Sequence, residues 1–295
     1  MPTATRGPSR VRAPTIQALR EVCQVPIKGG ALWQDPVYRF VSIYVTRVAV
    51  AVRASANEVT GVSLLAGLVG GALWLWPSTA TFLVAAVLLQ IGMLLDYVDG
   101  EVARWNGKAS VAGRFIEGVG GDVTDPLILL AVAWGVSGFV APELAPVVVG
   151  LGVAGAVAQV VFRWTPQVML ACLAMVYMGQ ANPESGEATP APITDPGAKG
   201  WLGRGLMLSH PVYRRLRAPF FHPNFLMLLT GAAVCDAAAL ALWGSVPVST
   251  AVVVAYGVAT PIFAIWQILH AAFTGEAERR YIALFVERTA FKAHL

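Results

Sequence analysis

Asp96, Asp99, Glu117, Asp122 and Asp125 stand close together in LLDYVDGEVARWNGKASVAGRFIEGVGGDVTD, residues 94–125, inside an otherwise apolar chain. Asp96 and Asp99 are three apart, so on a helix they share a face, with Ala103 and Arg104 one turn further on. Gly100 beside them gives close access to the backbone. A hard divalent cation such as Mg²⁺ takes carboxylate oxygens together with phosphate oxygens from a substrate. A carboxylate face at the end of a helix is therefore a metal and phosphate site in chemical type. The loop WNGKASV is short, so the next helix must turn back antiparallel. Gly113 is expected to let the two helices approach closely. Glu117 then comes one turn later, at a depth matching Asp96 and Asp99. Two helices would present three acids to one point.

The elements that must position these residues are membrane helices. The chain has 295 residues, 56% hydrophobic and 13% charged. A soluble domain carries about 25% charged residues, so a polytopic membrane protein is the expected class. A span needs roughly 20 apolar residues. Six segments qualify, at about 57–77, 79–103, 110–137, 143–163, 223–243 and 249–273. Residues 34–56 carry Arg39, Arg47 and Arg53 too often for a span. They read as an amphipathic helix at the interface. Asn57 is expected to cap the first span, with Thr60 in its first turn. The fold class is thus all-α, with six transmembrane helices preceded by an interfacial amphipathic helix.

The expected organisation is a tail over 1–33, the interfacial helix over 34–56, a six-helix membrane domain over 57–273 and a tail over 274–295. A loop of about 179–222 lies within the membrane domain. The stretch TPQVMLACLAMVYM, just after span four, either extends that span past Pro166 or lies along the interface. No Lys or Arg falls between Arg53 and Arg104, between Arg114 and Arg163, or between Arg217 and Arg279. Those gaps hold the connections after spans one, three and five. By the positive-inside rule, both termini and the acidic stretch face the cytosol. The basic N-terminus, with no apolar segment behind it, reads as a disordered cytosolic tail near anionic lipid rather than a signal peptide. An Arg-rich basic set hints at a bacterial cytoplasmic membrane.

Asp96-x2-Asp99-Gly100-x2-Ala103-Arg104-x8-Gly113 resembles the signature of the CDP-alcohol phosphotransferases, D-x2-D-G-x2-A-R-x8-9-G-x3-D-x3-D. SANEVT before the first span is similar to that family's TPN-x-(I/V)-T stretch, and the six-span layout with an interfacial first helix resembles it too. The resemblance covers about residues 36–135. It implies phospholipid biosynthesis: an alcohol attacks a CDP-linked donor, often CDP-diacylglycerol, and CMP leaves. It implies Mg²⁺ or Mn²⁺ as cofactor, with Asp96, Asp99, Glu117 and Asp122 as metal ligands. Asp96, Asp99, Gly100, Ala103, Arg104 and Gly113 would bind substrate. The implied partners are the CDP-linked donor, the acceptor alcohol and membrane lipid, with homodimerisation open and no nucleic acid.

The end of the motif departs from the pattern. The third acid is Glu117, and the place of the fourth, the proposed base, is Gly121. Asp122 is one residue late, about 100° around a regular helix, while Asp125 lies one turn deeper. Three readings stay open. A π-bulge at Gly120-Gly121 rotates Asp122 into the missing place. Asp125 or Glu117 supplies the base. Or the base is gone, and the protein binds its substrate without turnover. Buried acids also suit a cation-coupled transporter, but no symmetric halves are visible. Asp236 is read as a packing hydrogen-bond partner of Thr230 or Ser245. The basic, aromatic stretch at 209–224 is read as an interfacial anchor, with an anionic headgroup or acceptor phosphate as its functional alternative. His270 is read as structural.

Overall fold

The computed structural model describes residues 14–24, 35–107, 111–181, 197, 200–220 and 224–282. Among the described residues there is no strand. In chain order the α-helices are α1 (Ile16–Cys23), α2 (Asp35–Ala51), α3 (Ala56–Ala72), α4 (Thr79–Trp105), α5 (Val111–Ser137), α6 (Ala145–Ala181), α7 (Gly200–Arg217), α8 (Asn224–Trp243), α9 (Pro247–Phe273) and α10 (Glu276–Tyr281). Six stretches, one in each of α3, α4, α5, α6, α8 and α9, are long and apolar enough to cross a membrane. The chain is an integral membrane protein of all-α fold.

The helix ends follow local chemistry. Ser55, not Asn57, caps α3: its hydroxyl accepts from the Glu58 N–H, and Glu58 reaches back to the Ser55 N–H at 2.7 Å. This is a capping box. The Ser-x-x-Glu spacing outranks an Asn that has no such return partner. Pro77 follows the short 3₁₀ turn Leu73–Leu75, and Ser78 with Thr81 caps α4 in the same way. Asp236 is fully buried, and its partners are neither Thr230 nor Ser245. Its carboxylate accepts the N–H groups of Val248 at 2.9 Å and Ser249 at 2.6 Å. A carboxylate on α8 thereby caps the first turn of α9, where Val246 makes no side-chain cap.

The stretch after span four continues α6 as one helix with Pro166 inside it. Its 37 residues span about 55 Å at 1.5 Å each, longer than the roughly 30 Å hydrocarbon core. Two further helices fall where no helix was expected: α1 in the predicted N-terminal tail and α7 in the predicted 179–222 loop. Part of the predicted C-terminal tail forms α10. The rest of those segments, at 1–13, 25–34, 182–196, 198–199, 221–223 and 283–295, lies outside the described residues, as do 108–110.

Helix packing differs from expectation at one point that matters for the site. The first turns of α5 were expected against the last turns of α4, with Gly113 at the contact. Instead, among the described residues, the backbones of α4 and α5 come close at few points, though their side chains share one core, and α3 packs closely on both. The close approach is between α3 and α4. A Cβ on Gly92 would stand 3.2 Å from the Ser63 carbonyl oxygen, and the Ser63 hydroxyl donates to the Gly92 carbonyl at 2.8 Å. At the other end of the bundle, a Cβ on Gly135 of α5 would fall 1.9 Å from the Trp74 carbonyl oxygen. Around these contacts α4 packs on α8, and α5 on α6, which packs on α9.

The interfacial helix α2 divides its faces by polarity only in part. Ser42 and Thr46 are buried against α4, whereas Val37, Phe40, Val41, Tyr44 and Val48 are exposed. Tyr38, Ile43 and Ala49 are buried as well, so the helix is apolar on both sides, and its exposed apolar side chains are where lipid would satisfy them. The polar ones turn inward to a carboxylate described below.

Candidate active site

By connectivity, the C-terminal ends of α4, α6 and α9 and the N-terminal ends of α3, α5 and α8 share one end of the bundle. A cavity of about 240 Å³ opens there, walled by α3, α4, α5 and α6, with Leu226 of α8. Asp96 lines it from α4, and Glu117, Gly121, Asp122 and Asp125 line it from α5. Thr60 and Ser63 of α3 and Arg163 of α6 complete its polar wall. The cavity thus gathers four of the five sequence-predicted acids around one space.

Asp99, the fifth, stands just behind this wall. It is only 5% exposed and accepts a 2.6 Å hydrogen bond from the Thr60 hydroxyl. Asp96 and Glu117 are the carboxylates that act on it electrostatically. Asp96 and Glu117 thus face one cavity, and Asp99 stands behind its wall, held by Thr60 of α3. Their hard oxygen donors suit a divalent cation in chemical type. Among the described residues, no three His, Cys, Asp or Glu side chains are already grouped closely enough to hold an ion.

The last acids are arranged differently from the pattern read in the sequence. α5 is α-helical throughout Gly120 and Gly121, so no π-bulge turns Asp122. Asp122 still reaches the cavity, because α6 stands on that side. Its Oδ2 accepts from Gln167 Nε2 at 3.2 Å, and its Oδ1 lies 3.5 Å from Arg163 Nη1. Arg163 Nη2 binds Asp125 more closely. The place of the missing fourth acid is taken by this guanidinium: a Cβ on Gly121 would lie 3.4 Å from Arg163 Nη1. Arg163 therefore stands in van der Waals reach of the position where the fourth acid would be.

The remaining motif residues separate from the acids. Gly100 lies under Arg104, whose guanidinium nitrogens would be 3.3 and 3.4 Å from a Cβ there. Arg104 Nε donates to the Cys23 carbonyl at 2.7 Å and so ties α1 to α4. Ala103 lines a second, larger cavity of about 520 Å³, together with Arg53, Ser55, Asn57 and Asn106. The Thr60–Asp99 pair sits on the two helices that pass between the cavities. Arg53 there has φ +61°, a left-handed conformation that costs an ordinary residue about 1–2 kcal/mol. Gly113 is half-buried and lines neither cavity.

Two residues of this region were missed in the sequence. Glu101, in a variable position of the motif, is 1% exposed. It accepts from Gln24 at 2.8 Å, Ser42 at 2.8 Å and Thr46 at 2.6 Å, so α1 and α2 both dock on the acidic helix through it. Its signal was its position: two residues past Asp99, a charge on the opposite face of a helix has to be met by other elements. Arg163 was read only as a topological cation. As a cation within an apolar segment, it needed a buried acid as partner.

Residues 53–187 match the family model described as CDP-alcohol phosphatidyltransferase. The match spans α3, α4 and α5 with all five acids, and α6 with Arg163. No curated protein matches the chain.

Proposed function

We propose, for a chain whose residues 53–187 belong to the CDP-alcohol phosphatidyltransferase family, that the acid-lined cavity transfers a phosphoalcohol group from a CDP-linked donor to an acceptor alcohol with release of CMP. The family moves phosphate-linked alcohols in lipid synthesis and uses divalent metal ions. The observation that carries the reading here is the convergence of Asp96 and Glu117 on one cavity with Asp99 behind them.

Asp96, Asp99 and Glu117 would hold Mg²⁺ or Mn²⁺, which supplies charge neutralisation for the pyrophosphate and the leaving group. The second cavity, where Ala103 presents only a methyl group, has room for the nucleotide end of the donor, and Arg53 in its wall would meet phosphate. The acceptor would enter the first cavity. Its hydroxyl oxygen bonds to the phosphorus that bears the donor alcohol. The bond from that phosphorus to the bridging pyrophosphate oxygen breaks, and CMP leaves with the oxygen. The hydroxyl proton goes to Asp122. That carboxylate lines the cavity and is held more loosely by Arg163 than Asp125 is.

The lysine and arginine distribution supports placing this end of the bundle in the cytosol, where CDP-linked donors are made. A second reading has one specific observation in its favour. Arg163 covers Gly121, the usual place of the base, so a relative that binds its ligands without turnover would look the same there. Measuring CMP release from CDP-diacylglycerol with a panel of acceptor alcohols tests the two against each other. Turnover that requires Asp122 supports the transferase. Binding of the donor without CMP release from any acceptor supports the silent relative.

A further inference from the structure

A third cavity, of about 140 Å³, lies on the other side of α6, between α6, α7, α9 and α10. It shares no lining residue with the acid-lined cavity. Arg163 faces one, while its neighbour Phe162 faces the other. It is too small for a nucleotide, since pockets for ligands of that size run to about 300–1,000 Å³.

Its wall is a stack of rings. Trp266 is sandwiched between Tyr213, with centroids 3.5 Å apart, and His270, 4.6 Å apart. The Arg217 guanidinium lies 5.2 Å from the Phe162 ring and 5.5 Å from the Tyr213 ring. Rings that engage a guanidinium by its face leave its in-plane N–H groups free to bind, in a fork suited to phosphate. Among the described residues no carboxylate pairs with Arg217, because the cavity's acid, Glu276, is engaged by His270 at 2.7 Å and by Arg280. The amide of Gln267 adds a second unmet requirement. Its nitrogen donates to the Phe162 carbonyl at 3.3 Å, but its buried oxygen has no partner among the described residues.

A buried polar atom without a partner costs about 1–3 kcal/mol, and a bound group would relieve it. The occupant must therefore bring negative charge to Arg217 and a hydroxyl to Gln267. It must also be small and reach a point where α6 and α9 leave the apolar part of the bundle. We propose that this cavity is a binding site, separate from the acid-lined one, for a small phosphate group: either the headgroup of an anionic phospholipid or a free phosphate.

The test uses the full-length protein in nanodiscs, with no CDP-linked donor present, so its outcome does not depend on turnover at the other site. In one arm the discs are phosphatidylcholine and inorganic phosphate is titrated in. In the other, phosphatidylglycerol is mixed into the discs and its retention is read by native mass spectrometry. Arg217→Gln is expected to weaken binding about tenfold in at least one arm, the loss of one charge-assisted hydrogen bond. Glu276→Gln removes the cavity's own negative charge and releases Arg280, and it is expected to strengthen binding in the same arm, a gain that misfolding cannot imitate. A response in the lipid arm alone identifies a headgroup site, and one in the phosphate arm identifies a site for free phosphate. The proposal is overturned if wild type binds neither probe, if Arg217→Gln equals wild type in both arms, or if Glu276→Gln weakens binding.

Discussion

The two ends of the bundle both bury carboxylates, and they treat them in opposite ways. Far from the cavity, Asp236 is fully buried and spends both oxygens on the N–H groups of Val248 and Ser249. Ser249 in turn accepts from the Trp74 indole at 3.2 Å, so one acid organises the meeting of α3, α8 and α9. At the cavity end, Asp96, Glu117 and Asp122 line open space. Glu101 is the instructive exception at that end. It lies within the motif, two residues from Asp99, yet it is saturated by three donors as Asp236 is by two. Position in the motif therefore does not distinguish the acids that hold the fold from those available for chemistry. What distinguishes them is whether they stand at the cavity.

On that distinction, the largest effect comes from the acids at the first cavity, with Asp99 behind its wall among them. Asp99→Asn is expected to lower CMP release on the order of 10³-fold while the thermal midpoint stays near wild type. Calorimetry should show divalent-cation binding lost in the same variant. Asp122→Asn is expected to lose about 10²-fold, the low end for removal of a general base, and to keep metal and nucleotide binding. Gly121→Asp sharpens the second case. Its new side chain would meet Arg163, so it should draw that arginine away from Asp125 and Asp122 rather than simply supply a second base. If Asp122→Asn turns over normally, the base is Asp125 or Glu117.

The saturated acids should show the reverse pattern. Asp236→Ala leaves two buried N–H groups without an acceptor and is expected to destabilise by roughly 1–3 kcal/mol, with turnover per folded molecule unchanged. A fall in turnover without a fall in stability would break the comparison.

The smallest expected effect reads the docking of α1. Burial, and then the charge of Glu101, push the Cys23 thiol above its ordinary range, with Arg104 opposing. Because the thiolate is the reactive form, Cys23 should alkylate slowly at neutral pH and faster only as pH rises well above the usual thiol range. In a protein with Cys172 and Cys235 replaced by serine, Gln24→Ala should loosen α1 and speed that labelling. An unchanged rate would mean that Gln24 does not hold α1 on the motif helix.

Much of this architecture was legible in the sequence because hydropathy is a property of single segments. Five of the six spans lie within about five residues of where their apolar runs placed them, while the fourth runs on past 163 through Pro166. What could not be read depended on which helices touch. Nothing in the sequence of α4 and α5 says that α3 packs closely on both, so the close approach of Gly92 to Ser63 was not foreseen. The missing fourth acid invited a bulge in α5, whereas the actual answer, Arg163, comes from a helix some forty residues on. α7 was hidden for a related reason: its sequence carries Arg204, Arg214, Arg215 and Arg217 and is amphipathic rather than apolar. It is helical because one face packs on α9.

The central claim is that the acid-lined cavity performs phosphoalcohol transfer. The most direct measurement is CMP release from CDP-diacylglycerol by the purified protein, with a panel of acceptor alcohols, with Mg²⁺ or Mn²⁺ and again with a chelator. The account predicts release with at least one acceptor, abolished by the chelator and by Asp99→Asn but retained in Asp236→Ala. Release that survives both the chelator and Asp99→Asn would contradict it.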